Sequence, residues 1–276
     1  MKNAIRYTLY ATRYLFLLVL CFLLFFVISS GRVGAYPFKP GEKLIYTIKW
    51  SGAPLLLKVL PGTVGEMVLE VEEVEEKLTQ TNGQPAYLFS WKLETAGIYS
   101  LLFSLDERRE SYVDIDTFCS YRVAIYYKEG KDILKDWVIE IDNKTGEALI
   151  KDEKNEREET RLLSSLPVFD IPSLIYWLRT QELEVGNVFS LFLLEDVKTE
   201  TGKEEIKEEK VQIEVVGKEE IYICDESYST FLCEEVGSRK IKVWFSADER
   251  YLPVKIEVDV GEGTLIASLD LGKSIF

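Results

Sequence analysis

Apolar and polar residues alternate with period two along most of the chain, and this alternation constrains the fold more than any other feature. Val254, Ile256, Val258 and Val260 alternate with Lys255, Glu257 and Asp259. Val211, Ile213 and Val215 alternate with Gln212 and Glu214, and Trp137, Ile139 and Ile141 with Val138, Glu140 and Asp142. Ile241, Val243 and Phe245 share one face while Lys242 and Trp244 take the other. Successive strand side chains point to opposite faces, so each run buries one face and wets the other, as antiparallel strands do. Turn-forming residues separate the runs: Asn82-Gly83, Glu129-Gly130, Asn143-Lys144-Thr145-Gly146 and Gly261-Glu262-Gly263. The reading is mainly β: about a dozen strands or more, in a large curved antiparallel sheet (a half-barrel or open barrel) or a sandwich.

One segment reads as a helix. Asp170 is an N-cap carboxylate, and Pro172 stands in the first turn, where its missing N–H costs nothing. Ile171, Ile175 and Leu178 follow at i, i+4 and i+7, with Leu174 beside them and Gly186 beyond the end. The spacing predicts one main amphipathic helix packed on the sheet. Residues 63–78 fit either a capped helix or a strand, and the neighbouring strands favour β. The charged stretches Lys151–Arg161 and Thr199–Lys210 read as solvated loops or a hairpin tip.

The first 35 residues carry a different signal. Lys2, Arg6 and Arg13 precede an uncharged run from Tyr14 to Ile28, which at ~1.5 Å per residue covers only ~22 Å of a ~30 Å hydrocarbon core. Val33-Gly34-Ala35 then offers the small residues of a cleavage site, placing the cut between Ala35 and Tyr36. Residues 1–35 thus read as an export signal and 36–276 as a single β-rich domain. The alternative is an uncleaved anchor in the inner membrane through residues 14–28, which would then be the only membrane contact.

The 276-residue chain has 33 Lys plus Arg, 47 Asp plus Glu and no His, a formal charge of −14. Residues 1–35 hold four bases and no acid, so the remainder carries 29 − 47 = −18. So acidic a chain repels phosphate, which excludes nucleic acid as a partner and disfavours anionic headgroups. Without His there is no Ser-His-Asp or Cys-His catalysis and no His-ligated zinc. No phosphate loop, Cys-x-x-Cys or nucleophile elbow occurs, so neither cofactor nor metal is expected.

Some chemistry remains open. Asp114 and Asp116, at i and i+2, could share a strand face and serve a carboxylate-based hydrolase, although solvated or salt-bridged roles fit them better. Arg179 could pair with Asp114 and Asp116, or simply favour the helix C-terminus. Cys224 and Cys233 enclose eight residues, a separation that a hairpin could bring within disulfide reach; the alternative is small apolar packing. The aromatics Trp50, Trp91, Tyr176, Trp177 and Trp244 could line a cavity for an acyl chain or simply fill a core.

Phe38 to Tyr46 with Trp50-Ser51-Gly52, Glu110 to Phe118, Asp170 to Ser173 with Tyr176 to Arg179 and Gly186, and Val243 to Ile256 form an ordered series. Together these stretches resemble the domain of unknown function 3108 family of exported bacterial proteins. Their order over nearly the whole of the chain beyond residue 35 carries the resemblance. It implies export to the Gram-negative periplasm and a β-rich fold with a lone helix, and no accepted catalytic residues. A looser likeness is to the periplasmic half-barrel lipoprotein carriers, whose curved sheet shelters acyl chains. The functional expectation is a non-catalytic binding or carrier protein for an apolar ligand, its partners a lipid or lipoprotein. The alternative is an envelope structural module that docks a protein.

Overall fold

All four alternating runs resolve into ladder strands in the computed structural model, which describes residues 36–52, 62–74, 86–198, 204–223, 226–237 and 239–276. The expected export signal over residues 1–35, the Asn82-Gly83 turn and Cys224 lie outside the described residues.

The chain begins with β1 (Lys43–Ser51), β2 (Gly65–Val74) and β3 (Ala86–Thr95), followed by a short helix α1 (Tyr99–Leu102). Next come β4 (Leu105–Asp114), β5 (Ser120–Glu129), β6 (Asp132–Ile141), β7 (Glu147–Asp152), β8 (Arg157–Leu162) and β9 (Val168–Phe169). Helix α2 (Ile171–Arg179) follows, then β10 (Val188–Lys198), β11 (Glu204–Ile223), β12 (Glu226–Glu235), β13 (Ile241–Ser246), β14 (Pro253–Asp259) and β15 (Thr264–Leu269). Residues 65–74 are therefore strand, as the β reading has it. The charged stretches are not simple loops: 157–161 lies in β8, and 204–210 pairs with β10. Ile206, alone apolar among Glu and Lys, turns inward and is buried.

All fifteen strands belong to one sheet, in the order β8 to β1, then β15 down to β9. β1 is thus bonded to β15, and the chain's first and last strands join two meandering arms. Every pairing is antiparallel except β9 with β10. β8 and β9 do not pair, so the sheet stays open, and side chains span the gap. Arg109 of β4 and Lys135 of β6 both reach Asp196 of β10, and Arg161 of β8 donates to the carbonyl of Ile206 at 2.6 Å. Ile139 and Ile150 of one arm pack with Leu194 and Ile206 of the other.

Helix α2 lies between the arms. Its Tyr176 ring stacks on Phe89 of β3 with centroids 4.2 Å apart, and the same cluster takes in Leu191, Val211, Phe231 and Phe245 from the opposite arm. Helix α2 stands where the sequence places it and is buried nearly all round: Pro172 through Tyr176, Leu178 and Arg179 are all buried. Its ends explain how polar groups survive there. Asp170 accepts from Ser173 N, Ser173 Oγ accepts from Asp170 N, and the hydroxyls of Ser111 and Ser120 donate to the same carboxylate. At the other end Arg179 donates to both oxygens of Glu42 and to the carbonyls of Pro37 and Arg250. Its guanidinium also lies over the Phe38 and Tyr176 rings.

The expected pairing of Arg179 with Asp114 and Asp116 is thereby corrected. Asp114 accepts from the backbone N–H of Asp116 and Thr117 and so closes its own turn, while Asp116 is exposed. An Asx turn is a shorter-range use of a carboxylate than a partner across the sheet, and here it wins.

Removing Arg179 strands the Glu42 carboxylate in the core. Arg179→Met is expected to lower the unfolding free energy by ~3–5 kcal/mol in urea titrations, and Glu42→Gln/Arg179→Met to lose less than the two single losses summed. Tyr176 supplies the converse case, because its buried hydroxyl has no hydrogen-bond partner among the described residues. Tyr176→Phe should therefore hold stability or raise it by up to ~1 kcal/mol; a clear loss would show that the hydroxyl is satisfied.

Candidate functional site: an apolar cleft at one end of the sheet

Alternation puts Ile48 and Trp50 of β1, Leu93 and Thr95 of β3, Leu105 of β4 and Leu265 of β15 on one face. The registers bring them to one end: Ile48 opposes Gly65, Gly65 opposes Thr95, and Trp50 opposes Leu265. With Val64, Phe103, Val260, Glu94 and Glu262 they line a cleft of about 330 Å³. One step further along the same strands, Met67, Leu69 and Ala267 are buried and close the floor.

Two glycines make the cleft possible. A Cβ on Gly65 would lie 2.6 Å from the Glu94 carbonyl oxygen, so only glycine lets β2 approach β3 there. Gly263, at φ +114°, would with a Cβ meet the Ser51 carbonyl oxygen at 2.4 Å and Trp50 Nε1 at 3.0 Å. This close approach seats the β14–β15 turn against Trp50, whose Nε1 donates to the Glu262 carbonyl at 3.1 Å. Helix α1 precedes the lining Phe103 and leaves Ile98, Leu101 and Leu102 exposed by 45%, 83% and 58%. A second cavity of about 250 Å³ lies between the arms, lined by Ile139, Ala148, Ile150, Leu163, Leu194 and Ile206, with Arg161, Lys207 and Glu208 also at its wall.

Of the five aromatic residues singled out in the sequence, Trp50 lines the cleft. Trp91 opposes Leu69 and Arg109, and its buried indole nitrogen has no partner among the described residues. Tyr176 fills the core against Phe89, and Trp177 packs edge-on to Phe189. Trp244 donates to Glu219 and lies under the Lys255 ammonium, 4.2 Å from its ring centroid. The apolar wall is instead mostly aliphatic, and Leu93, Leu105 and Leu265 were hidden among the many alternating residues.

The expected Cys224–Cys233 disulfide is corrected, although Cys224 itself lies outside the described residues. Cys233 carries a free buried thiol and pairs with Val215, whereas Ile223, the chain neighbour of Cys224, pairs with Glu226. Burial pushes the Cys233 thiol up to about 12, and it raises the buried Cys119 thiol as well.

Acidic side chains gather elsewhere. Arg239 lies 2.8 Å from Glu195 of β10, 2.7 Å from Glu209 of β11 and 3.8 Å from Glu235 of β12. The Glu209 contact is an ion pair without hydrogen-bond alignment. Burial pushes the Glu195 carboxyl up to about 7; Arg239 and Arg109 oppose the rise and Glu209 adds to it. Among the described residues no group of three or more His, Cys, Asp or Glu converges as a metal site would.

These groups generate two expectations. Because the folded-state value for Glu195 stands above its ordinary 4.5, the native protein holds more protons between there and about 7, and stability falls as pH rises through that window. Glu195→Gln should flatten this dependence in unfolding titrations across the window, and an unchanged slope would contradict it. Alkylation of the native protein with iodoacetamide, followed by peptide mapping, should leave Cys119 and Cys233 unmodified until denaturant is added.

The comparisons accord with this geometry. A solved beta-barrel-like protein of domain of unknown function DUF1849 from Brucella abortus superposes with a TM-score of 0.51 at 11% identity, covering 84% of this chain and 96% of that one. That likeness is one of fold. No curated protein matches the sequence. The family described as Protein of unknown function (DUF3108) matches residues 45–270, from within β1 to just past β15, and the chain belongs to it.

Proposed function

We propose that this protein is an exported, non-catalytic binding protein that holds a single apolar chain, such as an acyl chain, in the cleft between β1, β3, β4 and β15. The observation that carries this reading is the cleft itself: about 330 Å³, walled by Ile48, Trp50, Leu93, Phe103, Leu105 and Leu265. That volume is at the lower end of the ~300–1,000 Å³ of ligand pockets. The exposed Ile98, Leu101 and Leu102 beside Phe103 extend the apolar surface outward from it. Burying about ten methylenes at ~0.8 kcal/mol each gives ~8 kcal/mol before association costs, so affinity would be micromolar or weaker. Such an affinity suits a carrier, which has to release what it takes.

Export to the periplasm rests on residues 1–35 of the sequence, and no helix among the described residues is long and apolar enough to cross a membrane. The hydrolase alternative draws no support from Asp114 and Asp116, and the raised carboxyl of Glu195 lies in neither described cavity. A second reading, an envelope module that docks a protein, is favoured by the extent to which α2 already fills the space between the arms.

Native mass spectrometry and lipid extraction of protein purified from its own envelope should recover a bound single-chain lipid. Leu265→Trp, which fills the cleft from its wall, should weaken binding by about tenfold or more while the melting temperature stays within a few degrees. Leu93→Phe gives an independent filling variant should Leu265→Trp fold poorly. No co-purifying lipid, with unchanged behaviour of both variants, would favour the docking module.

A further inference from the structure

The charges and hydrogen-bond donors around the cleft restrict which amphiphile it can take, an inference that rests on the binding role proposed above. Among the described residues that line it there is no Lys and no Arg; the charged ones are Glu94 and Glu262. Glu94 forms an exposed ion pair with Lys92 at 3.0 Å, which offsets its charge. Glu262 is exposed on the β14–β15 turn and forms no ion pair among the described residues, so it presents an uncompensated negative charge where a head group would emerge.

Donors are equally scarce. Trp50 Nε1 is already committed to the Glu262 carbonyl. Thr95 Oγ1 accepts from the Leu105 N–H at 3.0 Å, which leaves its own proton free to donate. The described residues of the lining therefore offer one side-chain hydroxyl and no cation. A carboxylate or phosphate head normally needs a guanidinium, an ammonium or several converging N–H groups to replace its water. One hydroxyl is enough for an ester or alcohol oxygen.

We infer that the cleft selects a single-chain amphiphile whose head group carries no negative charge, with Glu262 as the residue that discriminates against anions and Thr95 as the donor to the head. The discrimination is electrostatic and lies at the solvent boundary, so it weakens with salt. It is also consistent with the charge of the rest of the chain, −18 beyond residue 35, which adds a repulsive background at longer range.

The test uses the purified full chain and two probes with the same ten-carbon tail, 1-decanoylglycerol and decanoate, titrated calorimetrically at about pH 8, where a free carboxylate is ionised. Decanoylglycerol should bind about tenfold or more tightly than decanoate at low salt, and the gap should narrow as salt is raised. Glu262→Lys, a change at an exposed turn position, should raise decanoate affinity several-fold relative to decanoylglycerol, narrowing the gap between the two probes. Thr95→Val should weaken decanoylglycerol alone. If decanoate binds as tightly as decanoylglycerol, or if Glu262→Lys leaves the gap as it was, the charge selection is wrong while the binding role stands. If neither probe binds the unaltered protein, the binding role fails and the selection with it.

Discussion

The buried pair between Arg179 and Glu42 is the contact on which the interior depends. It joins three parts of the chain: the end of α2, the segment entering β1, and, through the Arg250 carbonyl, the loop before β14. Burying two charges gains little net stability, because the desolvation cost consumes much of the attraction. What the pair supplies is position. A guanidinium with four oxygen acceptors and two aromatic faces around it has one place to be, and that place fixes α2 between the arms. At the other end of the helix Asp170 does the same with Ser111 and Ser120 of β4 and β5. The helix is held by polar contacts at its ends and by stacked rings along its length, Tyr176 on Phe89 above all.

This placement decides where a ligand can go. A curved sheet with two facing arms could enclose a long apolar cavity, but α2 and the rings of Phe38, Phe89, Phe118 and Tyr176 occupy the space between β2–β4 and β10–β13. The concave face remains open at one end, beyond Met67 and Ala267, where the helix does not reach. The protein thus combines features expected of two rival readings: a filled core over most of its length and a cleft at one end. A filled core also makes that cleft rigid, since its floor rests on close-packed side chains.

How much of this was legible in the sequence follows from the range of each interaction. Alternation in β6, β11, β13 and β14, the turns at Glu129-Gly130, Asn143 to Gly146 and Gly261 to Gly263, and the Asp170-Ile171-Pro172-Ser173 helix start all depend on residues within a few positions, and they read correctly. The partner of Arg179 is Glu42, more than a hundred residues away, and with 47 acidic residues the sequence offers no means of choosing it. The same holds for the aromatics. Trp50 and Trp91 both face inward on strands, yet the registers of β1 with β15 and of β3 with β4 put the first at the open end and the second in the interior. Cys224 and Cys233 looked close because a hairpin was expected between them. Cys233 instead pairs with Val215 and keeps a free buried thiol.

Closure of the sheet shows why long-range charge pairing does structural work that composition alone conceals. β8 and β9 never join, so no backbone ladder sets the distance between the arms. Asp196 on β10 takes Arg109 from β4 and Lys135 from β6, and these two cations hold its carboxyl below the usual range despite burial that pushes the other way. Arg161 on the edge strand β8 reaches the Ile206 carbonyl and the Glu205 carboxylate. Charges on the edge strand β8 therefore serve two ends at once. They tether one arm to the other, and they make β8, with Arg157, Glu158, Glu159 and Arg161 in six residues, a poor template for another chain to extend. The open edge at β8 is thus charged rather than apolar, and part of that charge is already engaged within the molecule.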